Sequence, residues 1–174
     1  MKKQNGFSLI ELLIVVVIIG IVAAIAIPNL LASRRSANEG AAISTLRQIV
    51  SAQMAYKSTY GNGNFAGQSG GTQSCYVLSQ VQLLDERFAT TYGTGWSAVS
   101  GYRFSSGAWP AAPGRESNFG VFAIPLTTSG VTQTGTRKFV VVTDGVIHAD
   151  LYSGPLWYTE TGNVYQVTNP NPLQ

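Results

Sequence analysis

The first apolar block of the chain has no period. From Leu12 to Leu31 nearly every position is aliphatic, and no charged side chain falls between Leu12 and Ser33. As a helix this stretch spans roughly 30 Å, enough to cross a bilayer. Just ahead of it, inside "GFSLIELLI", stands the carboxylate Glu11. A charge at the centre of a bilayer costs about 2.5–3.5 kcal/mol on insertion scales, so Glu11 calls for a partner. Pro28 lacks the N–H for its helical hydrogen bond, and its ring crowds the carbonyl of Ala24. With Gly20 adding backbone freedom upstream, a kink is expected at Pro28. Beyond Ala32 the pattern turns amphipathic: Ile43, Leu46 and Val50 recur at helical spacing, with Ile49 and Tyr56 flanking. Arg34, Arg35, Glu39, Arg47 and Lys57 then take solvated or partner-facing positions, with Arg35 and Glu39 four apart as a modest pair. The alternation of glycine and asparagine in "YGNGN" stops the helix. One helix over Phe7 to Tyr60 would run about 80 Å, its first half facing lipid or a partner and its second half docking on a globular head.

The remaining chain reads first as a connection, then as strands. Residues 61–100 hold one short helical piece, "LSQVQLLDERF", with Val81, Leu84 and Phe88 on one face, and then a turn-rich loop, "TTYGTGWSAVSG". "GYRFSSG" is a short strand. "FGVFAIPL" has strand propensity and ends near Pro125, which suits a strand end or an edge. "RKFVVVTDGVIHADL" contains two apolar runs joined by Asp144–Gly145, a strong hairpin signal. The predicted fold class is α+β, a long N-terminal helix packed on a roughly four-stranded antiparallel meander. The prolines Pro155, Pro170 and Pro172 mark a tail lying over the sheet. The resulting division is 1–6 leader, 7–33 hydrophobic helix, 34–60 amphipathic helix, 61–100 connection, 101–152 sheet and 153–174 tail.

Composition narrows the chemistry. The chain has 174 residues, few charges, and a Gly, Ser, Thr and Tyr-rich head of extracytoplasmic character. Its net charge of +3 includes Lys2 and Lys3, so from residue 7 onward the balance is 9 − 8 = +1, weak support for a nucleic-acid partner. Lys2 and Lys3 place the N-terminus in the cytoplasm, while Arg34 and Arg35 beyond the apolar run oppose that orientation. The apolar run is too long for an ordinary cleaved secretory signal. A plain anchor would gain nothing from Glu11. The single cysteine, Cys75, cannot close an intrachain disulfide and reads as a small buried side chain. His148, the only histidine, reads as a surface or hydrogen-bonded strand residue rather than a ligand or base. Asp85–Glu86 adjoins Arg87 and reads as a solvated helix face. Asp144 and Asp150 are too sparse for calcium, which needs about 6–8 oxygens. No phosphate loop, zinc spacing or nucleophile elbow occurs, so no enzyme, no metal and no cofactor are expected.

The stretch "GFSLIELLIVVVIIGIVAAIAIP" resembles the N-terminus of type IV prepilins and pseudopilins. A basic leader ends in Gly6, Phe7 follows, and Glu11 stands five positions after the glycine. Gly20 and Pro28 also fall where members of that family commonly carry them. The segment "TGTRKFVVVTDGVIHA" is similar to the ending of one group of pilin-like proteins. The resemblance implies that a prepilin peptidase cuts after Gly6 on the cytoplasmic face and methylates the new amine of Phe7. It implies that Glu11 pairs with that amine on a neighbouring subunit, and that Gly20 to Pro28 loses helicity in the assembled fibre. The implied function is a structural subunit of a type IV pilus, a helical homo-oligomer. Residues 7–33 would hold it in the bacterial inner membrane until the assembly machinery moves it into a cell-surface fibre serving adhesion or motility. A pseudopilin of a type II secretion system and a membrane-tethered binding module are the alternatives. DNA uptake through Arg34, Arg35, Arg47 and Lys57 fits poorly, because the family geometry places them toward the fibre interior. Electron conduction fits poorly too, since no aromatic residue lies between Phe7 and Tyr56.

Overall fold

A computed structural model describes residues 7–67, 74–88, 96–151, 153, 157–161 and 164–168. The chain divides into two compact units, Met1–Arg34 and Arg35–Gln174. One helix, α1 (Leu9–Thr59), contributes to both.

In the first unit α1 is apolar on every side. Its aliphatic side chains stand open, among them Ile10, Val16, Ile19, Ile25 and Leu30. It is long and apolar enough to cross a membrane. The β-branched run Ile14 to Ile19 is only a moderate helix former in water. In hydrocarbon a helix satisfies every backbone group within itself, and that decides the conformation. The helical assignment passes through Pro28 without a break.

In the second unit α1 lays one stripe on a five-stranded antiparallel sheet of order β1-β2-β3-β4-β5. The strands are β1 (Trp96–Val99), β2 (Tyr102–Trp109), β3 (Asn118–Pro125), β4 (Arg137–Val142) and β5 (Ile147–Leu151). The expected four-stranded meander is present as β2 to β5. The strand missing from the expectation is β1, inside the segment read as a loop. Ser100 and Gly101 join it to β2, both with positive φ (49° and 76°), as a two-residue hairpin requires. Asp144–Gly145 joins β4 to β5 as expected, Gly145 at φ 74°.

Alternation along the strands sorts residues onto two faces. Tyr102, Phe104, Val121, Ala123, Phe139, Val141, Ile147 and Ala149 meet Ala42, Leu46, Ile49 and Ala52 of α1 in one buried core. The helix stripe runs Ala42–Leu46–Ile49, and Ile43 and Val50 flank it half-buried, a rotation from the expected Ile43–Leu46–Val50 line. On the opposite sheet face Val140 and Val142 form a second cluster with Phe122, Trp109 and Val167. Val167 belongs to a separate antiparallel hairpin, β6 (Trp157–Thr161) with β7 (Val164–Thr168), formed by the segment read as a tail. Pro155, Pro170 and Pro172 lie outside the described residues.

The connection also differs from expectation. Helix α2 (Ser74–Gln80) starts earlier than "LSQVQLLDERF" and stops within it, at a Gln82 with φ 58°. The Leu83 N–H then closes back on the Leu78 carbonyl at 3.0 Å. Leu84 and Phe88 still reach the core, Phe88 from a short 3-10 turn (Glu86–Phe88).

Candidate functional site

At the start of α1, Phe7 is exposed. Ser8 precedes the first helical residue, and the Leu12 N–H bonds the Ser8 carbonyl at 3.2 Å. Glu11 reaches back, its Oε2 3.5 Å from the Ser8 N–H, in the S-x-x-E arrangement that satisfies an orphan donor of a helix N-terminus. Sequence reasoning asked what accompanies Glu11; within its own chain it is this amide. Gly6, the residue before the expected cut, lies outside the described residues. At Gly20 an added Cβ would meet nothing within 4 Å. The described structure thus presents a carboxylate at the tip of a helix with an apolar surface all round, and no covering for that surface in its own unit.

A second set of functional side chains fixes α1 to the sheet. Glu39 is buried, not solvated, and its partner is Arg137 rather than Arg35. Its Oε1 accepts from the Thr136 N–H and hydroxyl, both at 2.8 Å, and its Oε2 accepts from Arg137 Nε at 2.8 Å. Beside it the Asn38 amide donates to the Thr134 carbonyl at 2.9 Å. The segment so gripped is the "TGTR" already singled out in the sequence. Burial alone would raise the Glu39 carboxyl. The Thr136 N–H, the Arg137 and Thr136 side chains and the Arg137 charge together hold it below its ordinary value. Tyr102 completes the arrangement from below, donating to the Arg137 carbonyl at 2.7 Å. Burial, and after it the Glu39 charge, push its phenol up. A Cβ at Gly135 would collide with that Tyr102 ring and hydroxyl, which explains the glycine in "TGTR".

About four turns further along the core the helix repeats the device. Buried Gln53 donates to the Ala66 carbonyl at 3.1 Å and accepts the Ala66 N–H at 2.8 Å. Glu39, Ala42, Leu46, Ile49 and Gln53 follow one another at spacings of three and four, so both polar residues continue the apolar stripe. That spacing is the signal through which the sequence could have placed Glu39 inside.

The remaining candidates are structural. Cys75 is buried; the Ser106 hydroxyl donates to its Sγ at 3.0 Å. Burial pushes its thiol up to about 11, so the nucleophilic thiolate is suppressed. His148 is buried on the outer sheet face with Nε2 4.0 Å from Asp144 Oδ2, while Asp144 Oδ1 accepts the Val146 N–H inside the hairpin turn. Asp85 and Arg87 form an exposed pair at 2.9 Å. Bonds from the Arg87 backbone and side chain hold the Asp85 carboxyl down. Among the described residues no three His, Cys, Asp or Glu side chains gather. A groove of about 810 Å³ runs between Ser44, Arg47 and Ser51 of α1 and the loop Gln82 to Asp85.

Comparison with known proteins bears on the N-terminal third. Residues 1–27 match the prokaryotic N-terminal methylation motif. The type IV wide pilus major component PilA4 of Thermus thermophilus is 49% identical over 57 residues, 33% of this chain and 44% of that protein. Core protein G of the type II secretion system of Vibrio cholerae is 40% identical over 57 residues, 33% of this chain and 39% of its own. The type IV major pilin protein PilA of Myxococcus xanthus is 44% identical over 54 residues, 31% of this chain and 24% of its own. The chain thus spans less than half the length of these relatives. No solved structure matches it. Over its N-terminal third the chain thus carries a methylation motif and is similar to type IV pilins and type II secretion pseudopilins, and the helix that begins there is laid further along on an antiparallel sheet.

Proposed function

We propose that this chain is a structural subunit of a type IV pilus and acts by assembling rather than by catalysis. The observation that carries the reading is the part of α1 in the first unit: an all-round apolar helix, open along its length, with one carboxylate at its tip, within a methylation motif. A prepilin peptidase hydrolyses the Gly6–Phe7 amide and methylates the new amine. The chain waits in the inner membrane with its head outside, and assembly machinery then packs its apolar face against those of its neighbours in an extracellular fibre. Outside the bilayer, keeping this aliphatic surface from water, together with close packing between helices, supplies the adhesion. Glu11 leaves its Ser8 amide for the Phe7 ammonium of the adjoining subunit, which fixes the stagger between helices. Such a buried pair adds little net stability when intact, but deleting one member strands the other charge at about 3–5 kcal/mol.

The experiment is electron microscopy of sheared surface fibres with peptide identification, in the native strain and in strains carrying Glu11→Ala or Gly6→Val. The expected result is fibres that contain this chain beginning at Phe7, strongly depleted in the first variant and lost in the second. Fibres of normal abundance and regularity built from Glu11→Ala would overturn the pairing. A pseudopilin reading draws on the relative named core protein G. It predicts a different deletion phenotype, in which surface fibres persist and secreted proteins accumulate behind the outer membrane.

A further inference from the structure

Where α1 ends, the chain passes through Tyr60, Gly61, Asn62, Gly63 and Asn64. Asn62 and Gly63 are both exposed, with φ of 46° and 84°. A Cβ built on Gly63 would meet nothing within 4 Å, so no side chain of its own or of a neighbour crowds the approach of Gly63 to the Asn62 side chain. Among the described residues no hydrogen bond holds the Asn62 amide. The other described asparagines differ. The Asn38 amide is spent on the Thr134 carbonyl, and Asn64 Oδ1 accepts the Ala111 N–H. Asn118 is buried in β3, and Asn29 lies within α1 ahead of a leucine.

We propose that Asn62 is a site of spontaneous deamidation, and that the end of α1 gates it. The nucleophile is the Gly63 nitrogen and the electrophile is Cγ of Asn62, held next to each other by the chain itself. The N–Cγ bond forms, the Cγ–Nδ2 bond breaks, and Nδ2 leaves as ammonia with the proton given up by Gly63, closing a succinimide ring. Water then opens the ring. Attack at Cγ yields aspartate in a normal linkage. Attack at the main-chain carbonyl of residue 62 yields isoaspartate, with one extra methylene in the backbone. No oxidant or reductant is needed.

The gate is a hydrogen bond. The Gly63 N–H donates to the Lys57 carbonyl at 3.1 Å, a bond that belongs to the helix terminus. The nitrogen must leave it before it can attack, so the folded chain reacts only from states in which the last turn of α1 has opened. The product keeps the helix end open. It places a negative charge beside the negative end of the helix dipole, where Lys57 is the basic residue of the last turn. Isoaspartate also lengthens the segment that returns the chain toward Ala66 and its Gln53 clasp.

The test uses the full purified chain in detergent, incubated in mildly alkaline buffer with and without urea. A tryptic peptide from Ser58 to Arg87 carries Asn62 and Asn64 together. The expected result is the mass gain of an amide-to-acid exchange on Asn62, ahead of Asn64 and of every other described asparagine. It resolves into two chromatographic products, forms about tenfold or more faster in urea, and is absent in Asn62→Gln. Conversion of Asn64 as fast as Asn62 would overturn the site. Conversion of Asn62 in urea alone would overturn it for the folded protein. Equal rates with and without urea would overturn the gate.

Discussion

A carboxylate at position 39 would serve as well on the surface if its only task were to keep a helix soluble; inside, it must be matched bond for bond. Glu39 has four donors from Thr136 and Arg137 around its two oxygens. Its folded pKa lies below the ordinary value of 4.5. The sign follows: the stabilisation is fully present above the unfolded-state pKa and is lost as pH falls through the lower folded value. Urea midpoints measured against pH should therefore decline on the acid side for the native chain. They should be lower but flatter there for Glu39→Gln, by about 1–3 kcal/mol at neutral pH, since Arg137 is partly exposed and part of its charge stays solvated. Gln53→Met keeps the volume and removes both bonds to Ala66. Each backbone group left dry costs about 1–3 kcal/mol, read as a lower midpoint with an unchanged slope. Gly135→Ala should cost about 1–3 kcal/mol through the displaced Tyr102 ring.

For whole elements the energetics shift from hydrogen bonds to area. Ile49 and Leu46 are fully buried between α1 and the sheet, and either one cut back to alanine should lose about 2–5 kcal/mol in thermal or urea unfolding. Elements were also where the sequence was most and least legible. Asp144–Gly145 between two apolar runs gave a hairpin because few other conformations suit that dipeptide. The aperiodic aliphatic run gave a long helix for the same kind of reason. β1 was missed since Trp96–Val99 is only four residues long and sits in a Gly and Thr-rich stretch; the Ser100–Gly101 turn was its one local mark. The β6–β7 hairpin was hidden behind prolines that suggested an irregular tail. Glu39 was misplaced because charge was read before spacing. At the candidate site Gly6, Phe7 and Glu11 were singled out through a family resemblance, whereas Asn38, Glu39 and Gln53 act through contacts 13 to 98 residues away, which no local window contains.

As a molecule the chain joins two very different solubilities. Residues ahead of Arg35 expose aliphatic surface that water cannot tolerate, while the unit after it carries its own core. The full chain should accordingly require detergent or lipid to stay monodisperse. Deleting residues up to Ser33 should remove that requirement and leave the near-ultraviolet circular dichroism of the head intact; aggregation of the truncated chain would show that the head's core is incomplete without them. The clasp at Asn38 and Glu39 lies within about a turn of Arg35. Traction applied through the apolar stretch therefore enters the head almost at once, through a carboxylate gripped by a loop and the first residues of β4. The Glu39–Arg137 clasp is therefore the first set of side-chain bonds in the head to be loaded in shear, ahead of the buried stripe of Ala42, Leu46 and Ile49 behind it.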